Sequence, residues 1–156
     1  PERGRLERLA VQLGIADRVT FLGALTRQQV AEELARAQAL VHPSRYETFG
    51  VAIVEALAMG RPVVATRCGG PEGIVTARDG LLVPVDDIEA LARAMRELRE
   101  HIDRYDAAAI RLACLERFGE GAVVARLRDT YETVAGRAPH QARERVVVPL
   151  RQAAGQ

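Results

Sequence analysis

The chain has 156 residues, of which 48% are hydrophobic and 28% charged, with 22 basic side chains against 21 acidic ones. That is the length of one domain, with enough apolar residues for a core. A net charge of +1 gives no sequence-wide electrostatic case for nucleic acid. No apolar run approaches the ~20 residues of a membrane span, and no charged-then-apolar leader precedes the first helix. Cys68 and Cys114 stand far apart, without a disulfide framework or metal-ligand spacing. Every basic residue is arginine. The expectation is a soluble cytoplasmic domain. The chain opens at Pro1 without an initiator methionine, and the patterns below favour a piece of a longer protein.

In chain order, Leu6, Leu9, Ala10 and Leu13 recur at helical spacing, with Gly14 as a stop. Residues 18–23 (Arg-Val-Thr-Phe-Leu-Gly) read as a strand. Thr26 and Gln29 form a capping-box pattern ahead of a helix that turns Val30, Leu34 and Ala37 inward. Ala39-Leu40-Val41 reads as a short strand ending at His42-Pro43. Residues 50–59 read as a helix stopped by Gly60, and Pro62-Val63-Val64-Ala65 as a second strand. Residues 80–83 read as the last clear strand. Asp86 with Glu89 is the expected cap of a long amphipathic helix, whose buried face carries Ile88, Leu91, Ala92, Met95, Leu98 and Ile102. Helices over 103–117 and 119–135 follow. Strands apolar throughout, alternating with helices, predict an α/β domain, a parallel sheet covered on both faces. From Gly136 onward Gly, Pro and Arg accumulate, and the end of the chain reads as a flexible tail. Its arginines suit solvent, or contact with a membrane surface.

In open parallel sheets, ligands bind beyond the carboxyl ends of the strands. Two unusual loops leave such ends, 42–50 and 66–72, and each runs straight into a helix. A helix start offers unpaired N–H groups and partial positive charge. Phe49-Gly50-Val51 therefore suits a phosphate, since Gly50 lets the backbone approach an anion. Gly69-Gly70 allows the same, although glycine at such a turn is equally explained by turn geometry. The stretch 50–60 is apolar all round except for Glu55, so the helix reads as buried and its carboxylate as in need of a partner. Arg61 or Arg67 would serve, and so would a pair of ligand hydroxyls. Glu47 precedes Glu55 by eight positions, ~12 Å if all helical. Two glutamates flanking an anion-binding helix start describe a site for a sugar, a diphosphate and a ribose.

Glu47-Thr48-Phe49-Gly50 with Glu55 is a Glu-x7-Glu arrangement. Pro43-Ser44, Gly60-Arg61-Pro62-Val63-Val64-Ala65, Gly69-Gly70, Glu72 and Gly80-Leu81-Leu82-Val83-Pro84 accompany it in order. Together they resemble the C-terminal domain of group 1 glycosyltransferases, retaining enzymes of the GT-B fold that use nucleotide-activated sugars. The resemblance runs from about Leu6 to Ala135. It implies a Rossmann-like parallel sheet with helices on both faces, a partial GT-B C-terminal domain over 1–139, and a tail over 140–156.

Carried over by residue, the resemblance makes Glu47 the catalytic carboxylate, holding donor-sugar hydroxyls near the reacting carbon. Phe49, Gly50 and Val51 would present N–H groups to the sugar or diphosphate, and Glu55 would grip the ribose hydroxyls. Ser44, Arg45, Thr48, Gly69 and Gly70 complete the expected donor site. Glu72 either lines the cleft or caps its short helix. Cys68 reads as a loop filler, and His42 as structural rather than a base.

The implied reaction moves a sugar from a nucleoside diphosphate sugar to an acceptor hydroxyl with retention. No cofactor is implied, and no metal. The nucleotide-sugar donor is the expected partner. The acceptor would sit on an N-terminal domain, and nucleic acid is not a partner. The parent enzyme would be cytoplasmic, with peripheral contact at the inner face of the membrane and a role such as polysaccharide biosynthesis. The family's diphosphate-neutralising Arg and Lys lie before the stretch that begins at Pro1, so the chain alone is expected to be inactive. The alternatives are a non-catalytic nucleotide or nucleotide-sugar binding module, and a GT-B relative such as an epimerase.

Overall fold

A computed structural model describes residues 2–136, so the tail at 140–156 lies outside the described residues. Contacts divide the chain into two compact units, Pro1–Arg111 and Leu112–Gln156. The first unit holds the sheet. Its order is β1 (Leu40–His42), β2 (Val63–Thr66) and β3 (Gly80–Val83), all parallel. Val41 lies opposite Val64, and Val64 opposite Leu81.

β2 is the central strand and is buried along its whole length, as a strand covered on both faces must be. Side chains alternate across the sheet. Val41, Val64, Leu81 and Val83 pack with Ala94 and Leu98 of α4 (Ile88–Glu100). Alternation sends Val63 and Ala65 to the other face. There α3 (Val51–Ala58) packs on β1 and β2 and buries Ile53, Ala56 and Leu57.

The remaining helices of this unit are α1 (Glu2–Gln12) and α2 (Arg27–Arg36). The capping box at α2 forms as expected. The Gln29 N–H donates to Thr26 Oγ1 at 3.3 Å, and the Thr26 N–H to Gln29 Oε1 at 2.9 Å. A turn at Ile102–Arg104 precedes α5 (Ala107–Phe118). Asp106 Oδ1 accepts the Ala108 N–H at 2.8 Å, so α5 starts four residues later than the apolar pattern placed it. In the second unit, α6 (Glu120–Val134) leaves Val124, Leu127, Tyr131 and Val134 exposed.

Four expectations are corrected. Residues 18–23 form no strand. Ala16–Arg18 is a helical turn, and Val19 and Leu22 are exposed. A strand needs a ladder partner, and among the described residues none lies beside this segment. The cap of α4 is Asp87, whose carboxylate accepts the Ala90 N–H at 2.8 Å, rather than Asp86. Of the residues expected on the buried face of α4, Ile88, Met95 and Ile102 are exposed: Ile88 occupies the first helical position, where the chain has only just turned onto the sheet, and Ile102 lies beyond the end of the helix. Finally, α3 is not buried all round. It covers one face of a three-stranded sheet and leaves Val51 and Glu55 exposed.

Candidate functional site

The loops after β1 and β2 run side by side. Glu47 and Gly69 form an isolated parallel bridge. The Glu47 N–H donates to the Cys68 carbonyl at 3.3 Å, and the Gly70 N–H to the Glu47 carbonyl at 2.6 Å. This contact explains both glycines. Gly69 has φ +117°, and a Cβ there would stand 2.8 Å from the Glu47 carbonyl oxygen. A Cβ on Gly70 would collide with the Phe49 carbonyl. The turn-geometry explanation therefore accounts for this pair. Glu72 accepts the Gly69 N–H at 2.9 Å and so caps the short turn Gly70–Gly73.

Beneath the loops, the buried Thr66 hydroxyl donates to the Ser44 carbonyl and lies 3.5 Å from the His42 carbonyl. Thr66 ends β2 and thereby fastens the first turn of the β1 loop. A Thr at a strand end carries no local sign in the sequence of what lies opposite it.

Glu47 is held through its side chain as well. Oε1 accepts the Phe49 N–H at 3.2 Å. Oε2 lies 3.5 Å from His42 Nε2, which is itself 3.1 Å from Ser44 Oγ. The carboxylate thus sits directly before α3. Gly50 caps α3 with φ +103° and no side-chain hydrogen bond. The uncapped first turn keeps the donor character and positive end of a helix start. Of the three residues expected to offer N–H groups there, Phe49 already spends its own on Glu47, Gly50 is buried, and Val51 is exposed at the first position of the helix.

Thr48 and Phe49 are exposed beside it, as is Glu55 on the following turn of α3. The Glu55 carboxylate pairs with neither Arg61 nor Arg67 among the described residues. The Arg61 guanidinium donates instead to the Ala35 carbonyl at 2.9 Å. Arg45 reaches across the strand ends to Asp86, Nε to Oδ1 at 2.8 Å. That contact joins loops 41 positions apart in sequence, which no local pattern encodes.

Elsewhere, burial and, secondarily, Glu97 push the Tyr105 hydroxyl above its ordinary pKa. Among the described residues, no group of three His, Cys, Asp or Glu side chains is placed to hold a metal ion. No described helix is long and apolar enough to cross a membrane.

A parallel sheet between helices, with two loops meeting before a helix start, defines a Rossmann-like α/β domain. The family model described as "Glycosyl transferases group 1" matches residues 1–101, and the chain belongs to that family. It is 48% identical over 94 residues to D-inositol 3-phosphate glycosyltransferase of Mycobacteroides abscessus, covering 60% of this chain and 21% of that protein. Among solved structures it resembles sucrose-phosphate synthase from Thermosynechococcus elongatus, with TM-score 0.75 and 31% identity over 86% of this chain and 35% of that one. It also resembles Anabaena HepE in complex with UDP-glucose, with TM-score 0.72 and 28% identity over 85% of this chain and 36% of that one. The chain thus spans about a fifth of the curated relative and about a third of each solved neighbour.

Proposed function

We propose that this chain is the donor-binding part of a retaining glycosyltransferase that uses a nucleoside diphosphate sugar. The observation that carries the reading is the Glu47 carboxylate held at the uncapped start of α3, with Glu55, exposed and unpaired among the described residues, farther along the same helix. Family membership supports it, and so does the likeness to a protein solved with UDP-glucose.

In this reading Glu55 accepts hydrogen bonds from the ribose hydroxyls. The diphosphate lies at the open turn of Gly50 and Val51, near Gly69 and Gly70. Ser44, Arg45, Thr48 and Phe49 wall the sugar end, and Glu47 accepts from the sugar's hydroxyls. The bond from the anomeric carbon to the diphosphate breaks as one to the acceptor oxygen forms, and the acceptor's proton leaves with the diphosphate. Charge builds on the leaving group, where the helix start is aimed to stabilise it.

The start of α3 supplies only part of the positive character that meets this charge, and no metal or resident cofactor enters the proposed reaction. Retention places the acceptor on the face of the sugar that the diphosphate leaves. In the family the acceptor is held by an N-terminal domain, so this chain alone binds donor without efficient transfer. Nucleoside diphosphate sugars are charged and do not cross a bilayer unaided, so the parent protein works in the cytoplasm, at the inner membrane face where the acceptor is a lipid.

Saturation-transfer NMR on the chain with UDP, GDP, ADP and their glucose or mannose conjugates tests this. One nucleotide should receive saturation through its ribose, and a folded Glu55→Ala variant should lose it. Silence of the folded wild type toward all of them would overturn the reading. Ribose saturation combined with a full-length protein that transfers no sugar would favour a non-catalytic binding module.

A further inference from the structure

His42 ends β1 opposite Ala65, and its carbonyl lies 3.5 Å from the Thr66 hydroxyl, so the root of its side chain is fixed by the sheet. Its ring and the Glu47 carboxylate are both largely enclosed, with side chains 20% and 28% exposed. Nε2 stands 3.1 Å from Ser44 Oγ and 3.5 Å from Glu47 Oε2. The opposite carboxylate oxygen, Oε1, takes the Phe49 N–H at 3.2 Å. Glu47's backbone is bonded on both sides, to Cys68 and Gly70. Arg45, two residues before Glu47, does not compete for it, since its guanidinium is drawn to Asp86.

From this arrangement we infer that His42 is a positioning residue for Glu47. The inference rests on the donor-site reading above. With its proton on Nε2, the imidazole donates to the Ser44 hydroxyl oxygen at 3.1 Å and turns the positive end of that N–H toward the Glu47 carboxylate 3.5 Å away. A glutamate has several rotamers to lose on meeting a ligand. With Oε2 steered by His42 and Oε1 by Phe49, that loss is met on folding, and the carboxylate stands ready for the sugar. His42 touches no donor atom in this scheme. It acts only through Glu47, so it governs the sugar end of the donor and leaves the nucleotide end alone.

The test compares affinities of the 156-residue chain for UDP and UDP-glucose, and for GDP and GDP-mannose. The variants are His42→Leu, His42→Gln, Glu47→Gln and the double variant His42→Leu/Glu47→Gln, each checked for folding by circular dichroism. His42→Leu should weaken the sugar nucleotide by roughly five- to tenfold, the scale of one lost hydrogen bond. The diphosphate should be unaffected within about twofold. His42→Gln keeps a donor and should restore most of the loss; it also serves if the leucine variant does not fold. Adding His42→Leu to Glu47→Gln should cost nothing further, since the two act as one unit. Equal weakening of diphosphate and sugar nucleotide, or additive losses, would overturn the role of His42 while leaving the donor site standing. Wild-type silence toward every nucleotide would overturn both.

Discussion

Glu47 and Gly69 are paired through their backbones, so the loop bearing the central carboxylate takes its shape from the loop after the neighbouring strand. The adjoining Gly70 has no room for a side chain against the Phe49 carbonyl. Gly70→Ala should therefore force the two loops apart and destabilise the fold by about 1–3 kcal/mol, the usual cost of overpacking. Gly73→Ala, where an added Cβ meets nothing within 4 Å, should stay within about 0.5 kcal/mol of wild type. Urea unfolding of the two variants checks the contrast.

Asp86 adopts φ +61°, a left-handed conformation that costs a non-glycine residue energy. It also pairs with Arg45, both side chains being well exposed. Such a pair contributes about 0–1 kcal/mol. Asp86→Gly loses the pair and relieves the backbone, so its stability should lie close to wild type or slightly above. Asp86→Ala loses the pair and keeps the strain, and should fall below Asp86→Gly by about 1 kcal/mol. Thermal unfolding of both variants orders them.

The neighbouring aspartate behaves differently. Asp87 accepts the Ala90 N–H and caps α4, the helix whose Ala94 and Leu98 close one face of the sheet. Asp87→Ala should cost about 1 kcal/mol, and Asp87→Ser should recover most of it. Denaturant midpoints read this directly.

Tyr105 supplies a pH dependence. Its hydroxyl pKa is raised chiefly by burial, with Glu97 adding repulsion to the phenolate. Both folded and unfolded chains keep the proton below the ordinary tyrosine pKa of about 10, so the contribution is constant there. As pH rises through that value the unfolded chain ionises first, and stability is lost until the raised folded pKa is passed. Tyr105→Phe should remove this part of the decline above about pH 10, measured as unfolding free energy against pH.

Much of the fold could be read locally. β2 up to Ala65 and the whole of β3 are continuous apolar runs, and α2 announces itself through Thr26 and Gln29. Most of what failed depended on distant partners. The segment at 18–23 has the composition of a strand but no ladder to join among the described residues. The choice between Asp86 and Asp87 as cap turned on the backbone, since Asp86 takes φ +61° one residue before the capping position. In the candidate site the residue types and their order were legible, but not the bonding of the two loops to each other at Glu47 and Gly69-Gly70. The exposure of Glu55 was not, because an apolar helix sequence does not say how much sheet is available to cover it. His42 went unassigned to Glu47 because the loop between them had to fold back before ring and carboxylate met.

The central claim is that a nucleoside diphosphate sugar lies across the open turn of α3, between Glu47 and Glu55. Backbone amide chemical-shift mapping of the chain, titrated with UDP-glucose and GDP-mannose, tests it most directly. One of the two should shift the amides of Gly50, Val51, Ala52, Gly69 and Gly70 in a saturable way. Those shifts should vanish in Glu55→Ala. Saturable shifts confined to other parts of the chain, or none with either ligand, would contradict the account.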